Sequence, residues 1–245
     1  MVLCGGLQFV SKLLLNFPIH PYFFVHDASL FFPLVGICNP RPKPKWICNP
    51  RNRKLYLGMG FKYTITSKEK YFLTTTVVDW IDVFTRKELS EVIINALKYC
   101  QQYKKLQIYA CCLMPSHLHL IASVDDDEIT LSDVMRDFKK FTSKEVVKTI
   151  KEIAESRRDW LLRHFEYAGK YNPKIKDYKF WQDGLHPVEL TSGKFIDQKI
   201  NYTHQNPVEA GIVYRAEDYV LSSATEYAGE HTGILDVIVL NDWLE

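Results

Sequence analysis

Cys112-Leu113-Met114-Pro115-Ser116-His117-Leu118-His119-Leu120-Ile121 is an apolar stretch broken at Pro115, and it carries two imidazoles separated by one leucine. Met114-Pro115 reads as a turn between two strands, Lys105 to Cys112 and Ser116 to Val124. Successive side chains on a strand alternate between faces, so His117 and His119 project to one side while Leu118 and Leu120 project to the other. Two such imidazoles lie roughly 6–7 Å apart at their Cα atoms and can close on one divalent ion. The doublet alone is weak, because eight histidines in 245 residues make the spacing common by chance. Paired surface or core histidines are its ordinary explanation.

Outward from the hairpin the pattern stays regular. Lys62 to Thr66 and Tyr71 to Val78 are rich in aromatic and β-branched residues and read as strands. With Thr85 as N-cap, Arg86 to Tyr103 sets Leu89, Val92, Ile93, Ala96 and Leu97 on one stripe of a helix. Downstream, Asp125-Asp126-Asp127 forms a solvated loop, and Thr130 or Ser132 caps a helix that runs to about Ile153. Leu131, Val134, Phe138 and Phe141 form its buried stripe. The order strand, helix, strand, strand, helix predicts an α+β, ferredoxin-like fold of the split β-α-β kind, an antiparallel sheet with helices on one face. A final strand belongs near Trp181 or beyond, its place left open.

Arg136, Lys140, Lys144 and Lys148 recur every four residues opposite that stripe, with Lys139 beside them. Such a row is either an ordinary solvated face or a ladder spaced for successive phosphates. Residues 154–180 mix basic and aromatic side chains that could stack on bases or fill a core. Ser192 or Thr191 caps a last helix from Gly193 to about Gln205, which Asn206-Pro207 should end, because the residue before proline avoids the helical region. Ile196 and Ile200 sit four apart and should be buried; Tyr202, about 200° round from Ile200, should face away from them beside Gln198 and Asn206.

The net charge is +2, but residues 1–58 hold seven Lys and Arg against the acid Asp27, a surplus of six that leaves −4 for the rest. In that first segment Ile37-Cys38-Asn39-Pro40-Arg41 recurs as Ile47-Cys48-Asn49-Pro50-Arg51, too little for a repeat fold. The segment reads as a proline-broken tail, a basic arm for phosphate, or sequence upstream of a true start at Met59, the reading we favour. Its prolines interrupt every apolar run short of a membrane span, and no secretory signal is indicated. The six cysteines include no C-x-x-C pair, so neither a zinc knuckle nor a disulfide framework is expected, and reduced cytosolic thiols are the default.

Four blocks together resemble the single-tyrosine HUH transposases of the insertion-sequence-200-like kind: Leu113 to Ile121, Met135-Arg136-Asp137-Phe138-Lys139-Lys140-Phe141-Thr142-Ser143, Phe180-Trp181-Gln182-Asp183-Gly184, and Ile200-Asn201-Tyr202-Thr203-His204-Gln205-Asn206-Pro207-Val208-Glu209-Ala210-Gly211. The branch most similar is the one associated with repetitive extragenic palindromes (REP). The resemblance spans about residues 59–225, the expected catalytic domain, with 226–245 as its tail, and nothing in 1–58 takes part. It implies that His117 and His119 are metal ligands, that Tyr202 is the nucleophile, and that Asn206 is a third, amide ligand with Gln205 as fallback. It implies Mg²⁺ or Mn²⁺ as cofactor, and as substrate single-stranded DNA folded into hairpins, with Arg136, Lys139, Lys140, Lys144 and Lys148 as candidate DNA contacts. A bacterial, cytoplasmic, nucleoid-associated monomer or homodimer is the corresponding setting. A domesticated hairpin binder without cleavage, and a histidine-dependent phosphoesterase, are the alternatives.

Overall fold

The run after Lys70 forms strand β1, Tyr71–Thr76, in a computed structural model that describes residues 68–173, 175–230 and 233–240. The strand expected over 62–66 and everything expected of 1–58 lie outside those residues. Helix α1 spans Lys87–Lys104 and is followed by β2, Leu106–Met114, and β3, His117–Val124. Arg86, not Thr85, is the N-cap of α1, and it makes no side-chain cap. Helix α2 spans Leu131–Glu152, and Thr130 is its cap. Thr130 wins over Ser132 because Asp133, three residues on, bonds back to the Thr130 N–H while Thr130 Oγ1 accepts from the Asp133 N–H, a reciprocal box.

Residues 154–180, unassigned in the sequence, contain helix α3, Arg158–Gly169. Strand β4 is only Val188–Glu189, preceded by a lone antiparallel bridge from Trp181 to Val77. Helix α4 is Gly193–Glu209, capped by Ser192, and a short α5, Ala224–Tyr227, completes the set. Pro207 does not end α4: it sits inside the helix, in the last turn, at the loss of one bond to the Thr203 carbonyl, and only two more residues follow before the helix ends. The Asn206 side chain donates to the Tyr202 carbonyl at 3.0 Å, and the chain leaves through Gly211 in the left-handed region.

The sheet order is β2-β3-β1-β4, antiparallel throughout, which is the split β-α-β arrangement. Side chains of β3 alternate as the sequence requires. Leu118, Leu120, Ala122 and Val124 face the main core, where Leu89, Ile93 and Leu97 of α1 meet Val134 and Phe138 of α2. Ile121 faces the other way, with Phe72, Ala110, Leu190 and the α4 residues Ile196 and Ile200. So α1 and α2 share one face as expected, and α4 covers the opposite one. Phe141, expected in the buried stripe of α2, is 55% exposed; Met135, Thr142, Val146, Val147 and Ile150 line that side instead. Among the described residues no helix is long and apolar enough to cross a membrane, and Cys100, Cys111 and Cys112 are buried free thiols.

Candidate active site

Three strands set the histidine pair. Register places Thr74 of β1 opposite His119 of β3, and Cys112 of β2 on its other flank. Thr74 Oγ1 lies 3.0 Å from His119 Nδ1, and Ser116 Oγ lies 3.2 Å from His117 Nδ1. With each Nδ1–H given to its hydroxyl, each Nε2 presents a lone pair. These two Nε2 atoms converge to 3.1 Å. Hydroxyls that fix the outer nitrogen and leave the inner one bare are the usual support of ligating imidazoles.

Both imidazoles stay neutral well into acid. Burial pushes His117 down to about 4. Burial also holds His119 well below its ordinary value, with His117 and Lys199 adding to the effect and a hydrogen bond donated to Asn206 opposing it. Neutral nitrogens are what a cation requires. Two cis ligands each about 2.1 Å from one ion lie about 3 Å apart, so the pair fits a shared divalent ion. Among the described residues no group of three or more His, Cys, Asp or Glu comes together as metal ligands. Any third protein donor among them would be of another type. Of the two amides considered, Asn206 is the one that bears on His119.

Helix α4 brings Tyr202 to the same place. Its ring stands 5.3 Å from His119 and 5.9 Å from Phe72, edge-on to both. Tyr202 does not face away from Ile196 and Ile200 as the helical angle suggested. It packs at the margin of the cluster they form, because α4 lies flat on the sheet and a long ring reaches back to it. The Lys199 ammonium lies 4.8 Å from the centre of the Phe72 ring and 5.5 Å from that of Tyr202.

The basic row divides. Arg136 is tied to Asp133 at 2.6 Å and Asp137 at 3.2 Å. Lys139 is half-buried, and its ammonium donates to the carbonyls of Gln182 and Gly184, fastening α2 to the 180–184 segment. Lys139 also lines a groove of about 830 Å³ with Lys140, Lys144 and Lys148, the last paired with Glu145 at 3.6 Å, and with Lys151, Lys176 and Tyr178. Lys151 and Lys176 were missed because neither continues the four-residue row. Trp181 also lines the groove, and its bridge to Val77 sets it beside Thr76, the register partner of His117.

After β1 the chain makes a tight turn, Val78–Trp80, in which both Asp79 (φ 52) and Trp80 (φ 58) are left-handed. For residues other than glycine this costs about 1–3 kcal/mol each and persists only where the surroundings enforce it. Here the Val77 N–H donates to Ser116 O at 2.9 Å, the Val78 N–H to Phe180 O at 2.8 Å, and Asp79 Oδ2 meets His164 Nε2 of α3 at 2.7 Å. The Trp80 ring stands edge-on to His117 at 5.1 Å and remains 46% exposed. Sequence reasoning passed over Trp80 because Val-Val-Asp-Trp reads as the end of a strand.

Residues 67–174 match the family model described as "Transposase IS200 like". A solved structure described as a REP-associated tyrosine transposase bound to a REP hairpin shares 17% identity, covering 76% of this chain and 94% of that chain, with a TM-score of 0.47. No curated protein matches the chain. The matched segment, where the chain is similar to the IS200-like transposases, holds both histidines and stops short of Tyr202.

Proposed function

We propose that this chain is a single-tyrosine DNA strand transferase and endonuclease of the REP-associated branch, which cleaves and rejoins single-stranded hairpin DNA through a 5′-phosphotyrosine link. One observation carries the reading: the Tyr202 ring stands 5.3 Å from His119, whose Nε2 converges with that of His117 at 3.1 Å. A pure DNA binder has no use for a tyrosine ring packed beside two converging imidazole nitrogens.

A divalent ion, Mg²⁺ or Mn²⁺, held by His117, His119 and Asn206, would polarise the scissile phosphate and offset its charge. The residues of the chain do the rest. Tyr202 Oη forms a bond to phosphorus as the bond from phosphorus to the 3′ oxygen breaks; that oxygen takes up a proton as a 3′-hydroxyl, and the phenol loses its own to solvent. A phenol of ordinary acidity is only about one part in a thousand ionised at neutral pH, so attack needs a prepared partner. The Lys199 ammonium stands beside the Tyr202 ring, where its charge would meet that of the scissile phosphate. One ester replaces another, so the 3′-hydroxyl of a second strand can reverse the step and release the phenol without ATP.

The lysine groove suits the hairpin stem, whose phosphates recur along it. The groove lies on the α2 side of the sheet and reaches the end of β1 through Trp181, so the single-stranded arm of a stem seated there would round that end to meet Tyr202 on the other face. On this reading the protein acts on cytoplasmic DNA as a monomer or homodimer. The test is covalent attachment to labelled single-stranded hairpin DNA on denaturing gels. Tyr202→Phe should abolish the adduct while hairpin binding persists, and an adduct surviving that substitution would refute the assignment.

A further inference from the structure

Trp80 has no part in the chemistry above, yet it is built with unusual care. Its indole is half exposed against the rim of the histidine pair. Two consecutive left-handed residues lift it there, and a carboxylate–imidazole contact from Asp79 to His164 of α3 pins the turn. His164 is itself packed against Trp160, also half exposed, with ring centres 5.4 Å apart. Burial of the indole does not explain the strained turn, because the turn presents a large apolar plane to solvent instead of hiding it. A flat, rigid, solvent-facing ring beside a phosphate-handling centre is what an unpaired nucleobase stacks upon.

We propose that Trp80 is the stacking platform for the base next to the phosphate that Tyr202 attacks, and that it thereby sets which phosphate of the single-stranded arm reaches the histidine pair. The proposal rests on the strand-transfer reading for the identity of that phosphate, but stacking is measured by binding alone. The probe is a fluorescently labelled hairpin with a single-stranded arm, bound to the full chain carrying Tyr202→Phe so that nothing is cleaved. A set of arms, each with an abasic site at a different position, locates the stacked base. One position should weaken binding by about five- to a hundredfold, the range for loss of one base–aromatic stack. Trp80→Ala should weaken binding of the intact arm by a similar factor and erase the abasic penalty at that position, and Trp80→Phe should restore much of both.

An abasic penalty of equal size in the presence and absence of the indole would overturn the proposal, as would undiminished binding by Trp80→Ala. Circular dichroism of each variant guards against misfolding, which is not expected at an exposed side chain. Coupled loss of binding, with no adduct formed on the same hairpin by the chain whose Tyr202 is intact, would keep the platform and reject strand transfer; an adduct from that chain with no Trp80 coupling would do the reverse.

Discussion

The two faces of the sheet do different work with the same strands. Leu118, Leu120, Ala122 and Val124 of β3 pack with α1 and α2 in a large apolar core, whereas the alternate positions His117 and His119 sit on the face that α4 only partly covers. On that second face burial is used to strip two imidazoles of their protons and to seat a tyrosine, rather than to maximise apolar contact. The two-residue period of one strand thus separates stability from chemistry.

The separation is broken most forcefully by substituting adjacent faces of β3. Leu120→Ala should lower unfolding stability by about 2–5 kcal/mol, the cost of emptying a fully buried leucine site, and leave the histidine geometry usable below the melting point. His117→Ala should do the opposite, cutting adduct formation on the order of a hundredfold or more, since several kcal/mol of charge stabilisation depends on that ligand, with the melting temperature little changed. Denaturant unfolding and gel assays on both proteins check this; equal damage by both substitutions to both quantities would dissolve the distinction.

Charge on the apolar side sharpens the comparison. Burial would push the Glu155 carboxyl up, but the Arg157 N–H and the guanidinium groups of Arg86 and Arg157 outweigh it and hold the group below its ordinary value. Because the folded pKa lies below the unfolded one, this contribution is complete above about pH 4.3 and is lost as pH falls through the folded value. Glu155→Gln should therefore cost about 1–3 kcal/mol at neutral pH and progressively less in acid, as thermal melts across that range would show. An unchanged gap between the two proteins at low pH would contradict the paired-carboxylate account.

The smallest expected effect concerns the groove. Lys140→Glu with Lys144→Glu should weaken hairpin binding about tenfold and flatten its salt dependence by roughly two counterions, whereas Arg136→Ala, already neutralised by Asp133 and Asp137, should change little. Titration over a salt series distinguishes these; a slope that Lys140 and Lys144 leave untouched would remove the groove from the DNA path.

Much of this was legible in the order of residues. Alternation along β3 put the histidines on one side, and the spacing from Thr130 to Asp133 carried a cap. What escaped had physical causes. Helix α3 has only Leu161, Phe165 and Gly169 buried, too thin a stripe to stand out among its charges. Pro207 was taken as a stop, but α4 continues through it to Glu209 at the loss of one backbone bond. The basic row looked uniform because sequence does not say which cation is claimed by a neighbouring acid or carbonyl: Arg136 and Lys139 are, and Lys140 and Lys144 line the groove. The left-handed pair at Asp79 and Trp80 has no sequence signature, since a bulky residue such as Trp80 rarely enters that region and does so here under tertiary constraint.

The most direct test of the central claim is to digest the protein–DNA adduct and map the modified peptide by mass spectrometry. Strand transfer through the α4 phenol predicts a nucleotide 5′-phosphate on Tyr202, formed only when divalent ion is present. A nucleotide on any other side chain, or none under conditions where the hairpin is cut, would contradict it.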